Sequence, residues 1–112
     1  MHITMSATVA IAFTFMALTA TPALSNALAN MHTLKPVNGK LCMVNHPHYR
    51  ESGTYRTKAQ AQARVIRAWE NYTRFEYGRA WARYDLSIKK NMTCVTGAGG
   101  TSCTLVAHPC RY

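Results

Sequence analysis

The chain has 112 residues, with thirteen Lys and Arg against four Asp and Glu, for a formal net charge of +9. So short a chain supports one domain with a limited core, and four carboxylates leave little for paired-acid catalysis. No nucleophile–base pair, metal motif or cofactor fingerprint appears, so the residues point to a protein that is not an enzyme and needs no cofactor.

Residues 1–34 contain no Lys, Arg, Asp or Glu, and Ala7 to Ala20 is an apolar run. The run is short for a membrane span but suits the core of a signal peptide. Pro22 ends it, and Ala27-Leu28-Ala29 offers the small residues that precede cleavage, with Ser25 as a secondary site. The segment before the run carries His2 but no Lys or Arg, so an uncleaved anchor is the alternative. The expected organisation is a signal peptide over 1–29, a flexible arm over 30–40 and one small α+β domain over 41–112.

All four cysteines, Cys42, Cys94, Cys103 and Cys110, follow the signal segment. An even number in a small exported domain predicts two disulfides and an oxidising compartment, which places the protein outside the cell or in the periplasm. Pro36 and the Asn38-Gly39 turn signal end the arm, and Lys40 to Asn45 reads as a first strand. His46-Pro47-His48-Tyr49 then reads as a surface loop. Two histidines one residue apart can join a metal site, but no Cys or carboxylate follows at a set spacing, and no metal is assigned. Glu51-Ser52-Gly53 reads as a turn before a brief extension over Thr54 to Arg56.

From Thr57 to Lys90 the pattern predicts one long amphipathic helix. Thr57 and Gln60 fit a capping box, and Ile66, Trp69, Thr73, Tyr77, Trp81, Tyr84 and Ile88 recur at helical spacing. Gly78 marks a place for a kink or a break, yet the stripe continues past it in register, which favours one helix. Trp69, Tyr77, Trp81, Ile66 and Ile88 are expected to face a sheet. Glu70 precedes Arg74 by four, Asp85 precedes Lys89 by four and Glu76 precedes Arg79 by three, so each acid has a basic neighbour for a helical ion pair. Away from the stripe, Arg64, Arg67 and Arg74 form either a solvated face or a cationic surface for an anionic polymer, and Arg79, Arg83 and Lys90 form a second line.

Asn91 to Thr96 and Ser102 to Ala107 read as a hairpin closed by Gly97-Ala98-Gly99-Gly100, which joins two strands and does not cradle phosphate. Four cysteines allow three connectivities. Cys94 with Cys103 across the hairpin, and Cys42 with Cys110, is one pairing; Cys94 with Cys110 and Cys42 with Cys103 is nearly as acceptable. A zinc set of Cys94, Cys103, His108 and Cys110 lacks a tight CxxC knuckle, and a Cys110–His108 dyad has less support than a disulfide. Two N-x-T triplets, at Asn71 and Asn91, are read as chance matches.

The order of Val65-Ile66-Arg67-Ala68-Trp69, Tyr77-Gly78, Trp81, Cys94, Cys103-Thr104-Leu105-Val106-Ala107 and His108-Pro109-Cys110 resembles a group of small exported alphaproteobacterial proteins of rhizobial type and unknown function. The resemblance covers about residues 53–111 and implies a secreted or periplasmic α+β module with no catalytic residues to transfer. Cys42 and the Arg-rich helix depart from that pattern.

The expected fold is thus α+β: one long amphipathic helix on a small antiparallel sheet made of the first strand and the C-terminal hairpin, stapled by disulfides. The expected function is a basic binding module that engages an anionic envelope component or macromolecule through Arg64, Arg67 and Arg74. The alternative is a protein-partner module, such as a protease inhibitor or envelope assembly factor, presenting the hairpin tip at Gly97–Thr101. Nucleic acid is a weaker form of the first reading, because most aromatics lie on the stripe needed by the core.

Overall fold

The computed structural model describes residues 33–112; the signal peptide expected over 1–29 and the first residues of the expected arm lie outside them. The strands are β1 (Leu34–Val37), β2 (Lys40–Met43), β3 (His48–Tyr55), β4 (Ile88–Gly97), β5 (Gly100–His108) and β6 (Cys110–Arg111). The helix α1 spans Lys58–Tyr77, and single 3-10 turns follow at Arg79–Trp81 and Tyr84–Leu86. Two three-stranded antiparallel sheets result, in the orders β1-β2-β6 and β3-β5-β4. The architecture is α+β with the helix on an antiparallel sheet, as the sequence leads one to expect.

The capping box forms: Gln60 N donates to Thr57 Oγ1 and Thr57 N to Gln60 Oε1, both at 3.2 Å. From there Ala61, Val65, Trp69 and Thr73 bury one side of α1, each four residues after the last. Ala61, Val65 and Trp69 pack on Cys103, Leu105 and Ala107, alternate residues of β5, with Ile66 partly buried beside them. Strand periodicity sends those three side chains to the face under the helix. The Trp69 indole N–H also finds a partner, Ala107 O at 3.3 Å.

The helix ends at Tyr77 and does not run to Lys90. Gly78 sits at φ +96°, a conformation that costs other residues strain, and its N–H donates to Arg74 O at 2.9 Å. Beyond it the apolar residues still turn inward, but from other backbone. Trp81 and Leu86 are buried on the 3-10 turns, and Tyr84 lies edge-on to Trp69 at 5.9 Å. Ile88 begins β4, opposite His108 of β5, yet its side chain packs on the small sheet's cluster. None of the three expected ion pairs forms among the described residues, although Glu70 and Arg74 both lie within α1. Glu70 accepts from Tyr84 N at 3.2 Å, Asp85 pairs with Arg83 at 2.8 Å, and Glu76 meets His48.

The first strand, β2, does not join the hairpin sheet. It pairs with β1 through the two-residue Asn38-Gly39 turn and with β6 on its other side, so residues 34–37 belong to a sheet where a flexible arm was expected. Its expected place beside the hairpin is taken by β3. The Glu51-Ser52-Gly53 turn signal is absorbed there as a bulge, where the register shifts between Glu51 and Thr54. Ser52 Oγ accepts from Cys103 N at 2.8 Å, so a side chain replaces the missing ladder carbonyl. Gly100, at φ +124°, lies so close to Tyr55 that any Cβ would collide with the Tyr55 carbonyl oxygen.

Two disulfides, Cys42–Cys110 and Cys94–Cys103, join residues directly opposite each other in neighbouring strands. This settles the connectivity and withdraws Cys94, Cys103 and Cys110 from zinc or thiolate chemistry. His108 instead donates from Nδ1 to Met43 O at 2.9 Å, bridging the two sheets. Among the described residues no helix is long and apolar enough to cross a membrane.

Candidate functional site

Chemistry-bearing side chains gather on two sides of α1. On one side, Trp69, Tyr72, Thr73, Glu76 and Tyr77 recur at spacings that keep them on a single arc of the helix. They face His48, the first residue of β3, which is buried. His48 Nδ1 lies 3.0 Å from Thr73 Oγ1, and Nε2 lies 3.4 Å from Glu76 Oε2. The ring stacks on Tyr77 with centroids 5.1 Å apart, and Tyr72 stands tilted at the same distance. His46, from the segment between β2 and β3, meets the edge of His48 at 5.3 Å. The Arg50 guanidinium covers the outer face of Tyr72 at 3.4 Å.

Hydrogen bonding sets the electrostatics of this cluster. The Tyr72 hydroxyl, bonded to Glu76, is the chief reason that the carboxyl is held below its usual range; Tyr77 and the two histidines act in the same direction. Burial, with the Glu76 charge beside it, pushes the Tyr77 hydroxyl up to about 12. Tyr72 is raised as well, chiefly by its bond to Glu76. One donor atom each from His46, His48 and Glu76 lies within 4.8 Å of the others. The sequence shows the histidine pair but not this third donor, because Glu76 arrives through the fold. The helical spacing of Tyr72, Thr73, Glu76 and Tyr77 was the signal available: a polar patch inside an otherwise packed face.

On the other side of α1, Arg64, Arg67 and Arg74 are exposed, and a helical wheel places them within about 80° of one another. Arg74 reaches Asn71 Oδ1 at 3.5 Å, and Arg64 lies 5.6 Å from the Tyr55 ring. None of the three has a carboxylate partner among the described residues. The four acids are engaged elsewhere: Glu51 by the Tyr49 hydroxyl at 2.6 Å, and Glu70, Glu76 and Asp85 as above. Phe75 stands among these arginines at 88% exposure. The hairpin tip lies apart, with Val95 at 68% exposure beside it.

Compared with protein-family models, with curated proteins and with solved structures, the chain matches none. The resemblance to small exported alphaproteobacterial proteins therefore rests on residue order alone.

Proposed function

We propose that this is an exported, non-enzymatic binding module that engages an anionic envelope component or macromolecule through the outer face of α1. The observation that carries the reading is the uncompensated charge of Arg64, Arg67 and Arg74, exposed on one helix while every carboxylate is engaged elsewhere. Such a face holds a positive potential that attracts a polyanion. Two disulfides fit an oxidising compartment, and an export signal at the N-terminus would deliver the chain there, outside the cell or in the periplasm.

The test is binding of the disulfide-bonded chain to a sulfated polysaccharide across a salt series. If three contacts behave as phosphate contacts do, affinity falls roughly 20- to 40-fold between about 50 and 200 mM salt. Reversing Arg64, Arg67 and Arg74 to Glu removes most of it, and folding is kept because all three side chains are exposed. Binding that ignores both salt and the reversal overturns the reading.

Phe75 favours a second reading, a protein-partner module, since an exposed aromatic gives a protein interface an anchor that a polyanion does not require. Capture of one stoichiometric protein partner, lost in Phe75→Ala and insensitive to salt, selects that reading.

A further inference from the structure

Thr73 fixes which nitrogen of His48 carries a hydrogen. The Thr73 hydroxyl donates to Trp69 O at 2.7 Å, so it can only accept from His48 Nδ1, 3.0 Å away. In the neutral ring the Nε2 lone pair then points toward the Glu76 carboxylate, whose Oε2 is 3.4 Å off. A lone pair and a carboxylate repel at that range unless a cation lies between them.

We infer that His46, His48 and Glu76 bind one divalent late-transition-metal ion, zinc or copper, with a fourth position open to solvent. Metal–ligand bonds of about 2.0–2.1 Å at tetrahedral angles set neighbouring donors roughly 3.3–3.4 Å apart. The His48–Glu76 gap has that length in the structure. The third donor, on His46, already lies within 4.8 Å of the other two and sits on a connecting segment outside both sheets. It needs only a small approach.

Two imidazoles and one carboxylate suit zinc or copper, whereas calcium and magnesium require a larger shell of oxygens. The surroundings are those of a supported ligand set. Thr73 orients His48 through the ring nitrogen that does not face the metal, and the Tyr72 and Tyr77 hydroxyls hold Glu76. Tyr72 and Tyr77 wall the site, while the partial exposure of His46 and Glu76 leaves the ion a way in. The cysteines, closed in disulfides, do not compete for the ion.

The test uses the disulfide-bonded chain with any purification tag removed. Zn²⁺ is titrated in competition with a chromophoric chelator, and Cu²⁺ is followed by electron paramagnetic resonance. One ion per chain is expected, with nitrogen couplings from two imidazoles in the copper spectrum. Thr73→Val, close in shape, weakens zinc about 10- to 100-fold. His46→Ala and Glu76→Gln weaken it more, and their circular dichroism is unchanged because both positions are partly exposed. The remote Glu51→Gln leaves the affinity as it was. Absence of saturable uptake, or equal affinity in His46→Ala and Glu76→Gln, overturns the inference and leaves a proton holding the His48–Glu76 pair. Neither result depends on Arg64, Arg67 or Arg74.

Discussion

Under α1, the β3-β5-β4 sheet shares a continuous cluster with Val65, Trp69, Cys103 and Leu105, while the β1-β2-β6 sheet has a smaller one, Cys42 and Cys110 with Leu86 of the second 3-10 turn, and buries Met43 of β2 besides. The strands differ accordingly: β4 and β5 have ten and nine residues, β1 and β2 four each, and β6 two. One sheet is held by a helix laid across it. The other has half-covered Val37, Val44 and Ile88 at its margin and a disulfide at its centre. Both sheets carry a disulfide, but only the larger has a helix laid across it, so the smaller rests more heavily on its covalent closure.

The sharpest way to break the contrast is Trp69→Ala. It removes the largest fully buried side chain and its bond to Ala107 O, and should cost about 3–5 kcal/mol. That is a large share of the total stability of so small a domain. Chemical denaturation should show the unfolding midpoint falling well below the parent's. If the variant unfolds near the parent midpoint, the helix–sheet cluster is not the main support.

The disulfides come next and separate the sheets. The Cys42–Cys110 bridge spans 68 residues and Cys94–Cys103 spans nine, so loop entropy assigns them about 4 and about 3 kcal/mol. Their local effects should differ more than their energies do. Replacing Cys42 and Cys110 by Ser removes two of the three buried residues of the small cluster, and hydrogen exchange should then show β1, β2 and β6 losing protection. Replacing Cys94 and Cys103 leaves a long hairpin already in register, so its amides should remain protected. Equal loss in both sheets would mean that they are not separately supported.

These differences explain what the sequence could and could not disclose. The capping box and the hairpin depend on residues close in the chain, and simple spacing reveals them; Cys94–Cys103 is one of two pairings that spacing leaves open, and the structure chooses it. The helix end was hidden because Trp81, Tyr84 and Ile88 keep a helical rhythm of burial while lying on 3-10 turns and a strand. The strand β3 was hidden by Glu51-Ser52-Gly53, which reads as a turn until Ser52 Oγ is seen satisfying Cys103 N. For the sites, the outward Arg64, Arg67 and Arg74 follow from a helical wheel. The His48 cluster does not, because His48 meets Thr73 across 25 residues and Glu76 looked engaged with Arg79.

The smallest effect tests how the two sheets are joined. Lys40, at the start of β2, donates from Nζ to Leu86 O at 2.8 Å, tying the small sheet to the second 3-10 turn. Lys40→Met keeps most of the stem and deletes the charged donor, so the loss should be about 1–2 kcal/mol, between a neutral and a charge-assisted bond. Its reach should also be limited. Amides around Leu86 and Ser87 should exchange faster, whereas those of α1 and β5, which rest on Trp69 and Leu105, should not change. If exchange in α1 rises equally, the turn transmits strain between the sheets, and their separate support would have to be given up for one cooperative unit.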